Sequence, residues 1–390
     1  LEQDGQSDRS GWSGNLNLRS DYELGSATEL EADARIRRNS SQSERAVRYT
    51  EMDAEQEPTD VYDRISFDDG SGVSMDLALE LQHEFDADAE EGAEREFWER
   101  GDELEVELEY ERGRDGDRSL VERHLLEEIG AIDYATELTW EEERETESEL
   151  ALSVDYLRGI GESTEFEVGY ESEFGWTDES RLQEFRLDAG SDPVSTERNG
   201  FVHRQTTHGG YLTLMRSFGD FSAQVGARAE LAGNWLDLPE GEGTYGRDYF
   251  DVFPSANLNY SLGDGKRVRM SYSMRVRRPS SNVLNPINTS SDELNIRIGN
   301  PEIEPQYTHS YTMNASWSGD LGYLRATPFI RRSVNQWEQI RTVDEEGISV
   351  DELAVAGVGA VTAVALALKL NPSAAGVAYL IGDLLKNIGG

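Results

Sequence analysis

Five histidines, many clustered carboxylates and a scatter of arginines are the side chains in this sequence that could do chemistry. His203 and His208 come nearest to a metal pair, but they are five residues apart. Two ligands aimed at one ion need a spacing of four on a helix or two on a strand, so this pair does not converge. With His83, His124 and His309 they read as solvated loop residues. Runs such as Glu141-Glu142-Glu143 would suit acid–base catalysis on a glycosidic bond. In a chain with 78 acidic residues, such runs carry no specific signal. Asp63 to Asp69 and Asp86 to Glu91 could supply the oxygen ligands that Ca²⁺ prefers, although solvated acidic loops are the simpler expectation. No nucleophile elbow, phosphate loop or dinucleotide fingerprint joins a strand to a helix. The sequence has no cysteine, which excludes disulfides and thiolate metal sites. These side chains do not point to an enzyme.

Composition narrows the class further. The 390 residues carry a net charge of −42, which repels nucleic acid and argues against it as a partner. Only 37% of residues are hydrophobic, and the run nearest to a membrane helix, Leu353 to Leu368, is short and rich in Ala, Val and Gly. A spanning helix needs roughly 20 apolar residues. A membrane barrel is not excluded, because only alternate residues of its strands face lipid.

The elements that would position these side chains show themselves as a repeated period of two. Leu16, Leu18 and Tyr22 alternate with Asn17, Arg19 and Asp21, and after Gly25 to Thr28 the pattern resumes as Leu30, Ala32, Ala34 and Ile36. Further rows are Met75 to Leu81, Leu104 to Tyr110, Leu150 to Tyr156, Phe166 to Trp176, Phe221 to Leu231, Ala256 to Leu262, Val268 to Val276, Tyr311 to Trp317 and Tyr323 to Ile330. Such alternation sets one face against an apolar medium and the other against water. Short turns at Gly25, Gly159, Phe218, Gly263 and Ser318 alternate with long polar stretches read as loops: Arg37 to Gly72, Glu111 to Glu149, Thr177 to His208, Ala232 to Arg247 and Pro279 to Gln306. Short turns at one rim and long loops at the other characterise outer-membrane barrels, as do aromatic rings such as Trp12, Tyr22, Trp176 and Tyr260 near strand ends. The expected fold is all-β, an antiparallel transmembrane barrel with long extracellular loops, spanning 1–390 as a single domain. An acidic insertion at 86–102 breaks the pattern, and the atypical apolar tail, 349–390, is expected to add a hairpin that turns at Asn371-Pro372-Ser373.

One region goes beyond pattern. Phe253-Pro254-Ser255 leads into Leu258 and Tyr260, then Arg277-Arg278-Pro279 ends a strand, and Gly299-Asn300-Pro301 precedes Pro305 and the strand of Tyr311. With Gly226-Ala227-Arg228 upstream, this order resembles the barrel of TonB-dependent receptors and the outer-membrane β-barrel family close to them. That resemblance implies a barrel of about 22 strands, of which roughly 14 to 15 are countable here. It also implies a plug domain and a segment that engages a TonB-type energy transducer, neither of them visible, so the chain reads as a fragment of a longer protein. The implied function is uptake of a scarce nutrient, such as a metal chelate or a glycan, across the outer membrane of a Gram-negative-type bacterium. Outer-membrane lipid and the small nutrient ligand would be its other partners, and no cofactor is implied. Arg277, Arg278, Trp337 and Tyr245 are the expected lumen or loop contacts, chosen by position. A passive structural or adhesive barrel, or a secreted acidic β-protein, are the alternatives.

Overall fold

The computed structural model describes residues 2–52, 58–85, 102–125, 136–161, 163–188, 190–238, 243–287, 295–320, 322–343 and 349–370. Ten long strands lead: β1 (Glu2–Glu23), β2 (Thr28–Met52), β3 (Pro58–Glu84), β4 (Glu103–Leu125), β5 (Thr136–Ile160), β6 (Thr164–Arg186), β7 (Ser195–Phe218), β8 (Phe221–Leu238), β9 (Gly243–Gly263) and β10 (Lys266–Arg277). A one-turn helix α1 (Ser281–Leu284) and the short β11 (Asn295–Ile298) follow, then β12 (Gln306–Gly319), β13 (Gly322–Val343) and β14 (Ser349–Leu370). Together they form one 14-stranded sheet in the order β1 to β10, β12, β13, β14, β11. Every pairing is antiparallel except that of β11 with β14. β1 and β14 do not meet, so the sheet is an open wall. No helix among the described residues is long and apolar enough to cross a membrane.

Register explains the alternation. Leu79 lies opposite Leu108 and Leu108 opposite Leu152, so the apolar parity of three strands forms one row. Leu79 and Leu108 are well exposed on this face and Leu152 partly so, as Leu18, Val168, Leu212, Leu231 and Tyr311 are exposed on the same parity. An exposed apolar band on one face with a polar opposite face is the arrangement that lipid stabilises.

Most of the described residues in four of the five stretches read as loops prove to be strand. β2 and β3 stay paired from Thr28 opposite His83 to Thr50 opposite Val61, through the whole of 37–50 and 61–72. β4 with β5, β5 with β6, and β7 with β8 likewise run on past the apolar band. A membrane strand needs only about 9–11 residues, so these strands of 18 to 27 residues project well beyond the bilayer. Alternation vanishes there because both faces are wet. Cross-strand polar pairs hold the ladder instead: Arg48 with Asp63 (2.7 Å), Ser43 with Asp68 (2.9 Å) and Gln42 with Asp69 (2.9 Å), beside the stacked rings of Tyr49 and Tyr62. The tail enters as β14, whose register sets Thr362 opposite Ile330 and Leu368 opposite Leu324. The expected second strand of that hairpin and the acidic insertion from Asp86 to Gly101 lie outside the described residues.

The stretch Pro279 to Gln306 is the real loop, and it turns inward. Leu284 of α1 packs on Phe201, Leu236 and Leu238, all on the lumen-facing parity of β7 and β8. Pro279 and Ile303 are fully buried. Two backbone bonds close the loop on itself, Gly299 N–H to Asn285 O (2.8 Å) and Asn300 N–H to Val283 O (2.7 Å). A Cβ on Gly299 would meet the carbonyl oxygens of Asn285 and Val283 at 2.6 Å, so the crossing admits no side chain.

Candidate functional site

The lumen face beneath the inward loop is where charged and aromatic groups converge. A continuous polar network crosses it from β6 to β12. Arg228 bridges Glu171 (2.5 Å) and Glu230 (2.6 Å), Arg278 bridges Glu230 (2.7 Å) and Asp251 (3.3 Å), and the Tyr307 hydroxyl donates to Asp251 (2.8 Å). The Asn234 amide donates to the carbonyl of Pro279 (2.8 Å), and its oxygen lies 2.6 Å from His203 Nε2. Because that oxygen can only accept, the imidazole is the donor through Nε2. His203 is buried, and burial lowers its pKa below the usual histidine range despite the asparagine contact that opposes this.

This corrects the histidine reading. None of the five sits in a solvated loop: His83 bonds Thr28, His124 bonds Glu122, His208 bonds Tyr170 and Ser172, and His309 bonds Tyr272. His203 and His208 do lie on opposite faces of β7, as their odd spacing requires.

The four residues singled out by position fall into three settings. Arg277 lies over the Trp337 ring at 4.8 Å from its centroid, and the Trp337 indole N–H donates to Glu304 O (2.8 Å). Arg278 is sunk in the network and tied to two carboxylates, which makes it an anchor of the loop. Tyr245 packs against the Phe201–Leu236–Leu284 cluster. It lines a cavity of about 230 Å³ with Asn234, Arg247, Tyr249 and Pro301. Sequence reasoning missed Arg247, which reaches Glu302 (2.9 Å) and Glu304 (3.5 Å), and Asn234. Their shared signal was position on the lumen-facing parity of β8 and β9.

Of the suggested Ca²⁺ ligands, Asp63 and Asp69 take one face of β3 and Asp68 the other, each with its own partner across the ladder. The carboxylates that do converge are those of Glu143, Glu145 and Glu179, within 4.8 Å of one another. They stand on β5 and β6 beyond the apolar band. Burial, then the charges of Glu143 and Glu145, push the Glu179 carboxyl up to about 7, with Arg181 opposing. The folded protein therefore holds this proton more tightly than the unfolded chain, and stability falls as pH rises from about 4.5 to about 7. Replacing Glu179 by Gln should raise stability at pH 8 by about 1 kcal/mol, allowing for solvent screening. The gain should vanish at pH 4.5, and thermal melts of both proteins at the two pH values check this.

An open wall with an apolar exterior, an acidic lumen and an infolded loop defines an outer-membrane barrel. The chain belongs to the outer membrane protein beta-barrel family, whose model matches residues 95–354. Its place is the outer membrane of a Gram-negative bacterium. Among solved structures, the copper transporter OprC is similar with a TM-score of 0.51 at 10% identity, over 95% of this chain and 59% of that one. The ferric-catecholate import receptor Fiu from K12 E. coli gives 0.49 at 11%, over 94% and 62%. P. aeruginosa FpvA, solved with a heterologous pyoverdine, gives 0.49 at 10%, over 95% and 53%. The chain thus spans 53% to 62% of the length of these solved chains, less than two thirds of each. No curated protein matches the sequence.

Proposed function

We propose that this chain is wall and loop of a receptor that imports a scarce nutrient, a metal chelate or a glycan, in a TonB-dependent manner. The observation that carries the reading is the inward loop. It places Arg277 on Trp337, and Arg247 beside Tyr245, on the lumen side at the long-turn rim, where an arriving solute is met first. A planar ring beneath a guanidinium suits anionic or sugar-like ligands, through charge and stacking. The fold shared with OprC, a copper transporter, supports a barrel of transport type. A plug and an energy transducer complete the reading as partners of the whole protein.

A deletion strain supplied with iron chelates, copper or glycans at limiting concentration tests it. Growth on one of these should fail without the gene and recover when that nutrient is abundant. An uncoupler should abolish the high-affinity uptake. Uptake that follows solute size alone and ignores the uncoupler would make the protein a passive barrel.

A further inference from the structure

One buried histidine orients a contact that holds the root of the inward loop. His203 lies on the lumen-facing parity of β7, 5% exposed, with Thr177 of β6 opposite it on one side and Leu236 of β8 on the other. Its Nε2 donates to Asn234 Oδ1 (2.6 Å), which fixes the way the asparagine amide points. The other end of that amide donates to the carbonyl of Pro279 (2.8 Å), where β10 gives way to the loop. A single imidazole N–H thus sets the group that ties loop to wall. Leu236 and Phe201, the seat of Leu284, share its face.

A neutral imidazole suits this seat and a charged one does not. Among the described residues Nδ1 has no acceptor in hydrogen-bond range, so a second proton finds no partner there. The charges on the surrounding elements give no compensation. On β6 the carboxylate of the adjoining rows is Glu179, opposite Phe201, and its carboxyl, pushed up to about 7, is protonated in acid. On β7, Phe201 and Gln205 flank the ring and neither titrates. On β8, Asn234 and Leu236 are neutral, and Glu230 further along is bridged by Arg228 and Arg278. Arg247 of β9 and Arg278 line cavities with Asn234, and both are cations. The acids beyond them are taken: Glu302 and Glu304 by Arg247, Asp251 by Arg278 and the Tyr307 hydroxyl.

We propose that His203 is a pH-sensitive latch on the inward loop, closed while the imidazole is neutral and released when it takes up a proton. Protonation leaves the Nε2 donor in place, so the bond to Asn234 is not what fails. The buried charge is the cost, and the ring relieves it by swinging out to water. Asn234 Oδ1 then loses its donor, the amide is free to rotate, and Pro279 is let go. Burial holds this imidazole below the usual histidine range. The latch therefore has its full strength above about pH 6.5 and weakens as the pH falls from there toward the lower value of the seated ring. It depends on the seat of the loop alone, whatever solute the barrel admits.

Hydrogen–deuterium exchange of the full-length protein in detergent micelles tests this. The amides of Gly299 and Asn300 report the seated loop, since they donate to Asn285 O and Val283 O. Corrected for the intrinsic pH dependence of exchange, their protection should fall between pH 7.5 and pH 5. The fall is at most about tenfold per pH unit, the limit for uptake of one proton. Leu212 and Val225, in the ladders of β7 and β8, should stay protected throughout. His203→Gln keeps a donor that does not titrate and should hold the protection constant over the range. Thr177→Asp sets a carboxylate opposite the imidazole and should shrink or abolish the acid loss. That variant decides the matter where the glutamine seats the loop poorly. Constant protection in the wild type, or an acid loss that Thr177→Asp leaves at full size, overturns the latch. Parallel loss at Leu212 and Val225 would mean that the wall itself unfolds, and overturns it too.

Discussion

Replacing Arg278 by Ala should destabilise the protein by about 3 kcal/mol and release the inward loop. Arg278 is largely buried, its side chain 17% exposed, between Glu230 at 10% and Asp251 at 11%. Removing a cation from a buried network costs more than its hydrogen bonds, because the carboxylates it served stay desolvated with less compensating charge. Arg228 remains on Glu230, but among the described residues Asp251 keeps only the Tyr307 hydroxyl. The same change loosens the turn at Pro279, whose carbonyl is held by Asn234. Limited proteolysis between 279 and 305, together with thermal unfolding, reads both consequences. Arg278→Lys keeps the charge without the fork geometry and should recover only part of the loss. Wild-type protease resistance in the alanine variant would show that the apolar seat of Leu284 and Ile303 holds the loop unaided.

The contrast between that loop and the wall shows what a sequence of this kind displays. The rows Leu77–Leu81, Leu104–Tyr110 and Leu150–Tyr156 announce themselves because lipid touches only one parity, and the structure pairs them in register. Turns such as Gly263-Asp264-Gly265 are equally plain, since positive φ at all three positions is left to residues that tolerate it. Once a strand leaves the bilayer, water meets both faces and the period disappears. Arg48 and Asp63 then read as loop although they are ladder partners. The inward loop is harder still. Leu284 and Ile303 are isolated apolar residues in a polar stretch, and the seat of Leu284, Phe201 and Leu236, lies on the parity otherwise given to charge. Nothing local marks such residues as a core. The pairing of Arg277 with Trp337 spans 60 positions and depends on β12 lying between their strands, which periodicity does not report. His203 was misread for the same reason: its partner Asn234 sits 31 residues away on the neighbouring strand.

The orientation of the wall itself gives the second large effect. Leu108 and Glu107 are adjacent on β4, so their side chains stand on opposite faces. Leu108 is 43% exposed, flanked in register by Leu79 and Leu152. Glu107 faces the lumen, opposite Glu80, with Glu105 and Glu109 on its own side of the strand. Leu108→Arg should cost about 2–4 kcal/mol in a bilayer, because a guanidinium there meets hydrocarbon and can escape only by reaching along the strand to the interface. Glu107→Arg introduces the same side chain one position away and should be neutral or stabilising, since it meets three carboxylates across water. Urea titration of folding into lipid vesicles, read by heat-modifiable mobility, measures both. Neither hydrophobicity nor strand propensity separates the two variants, as the new residue is identical. Only the identity of the medium on each face does. A soluble acidic sheet would invert the scale of the result, making Leu108→Arg harmless in water. A barrel turned inside out would make Glu107→Arg the costly change.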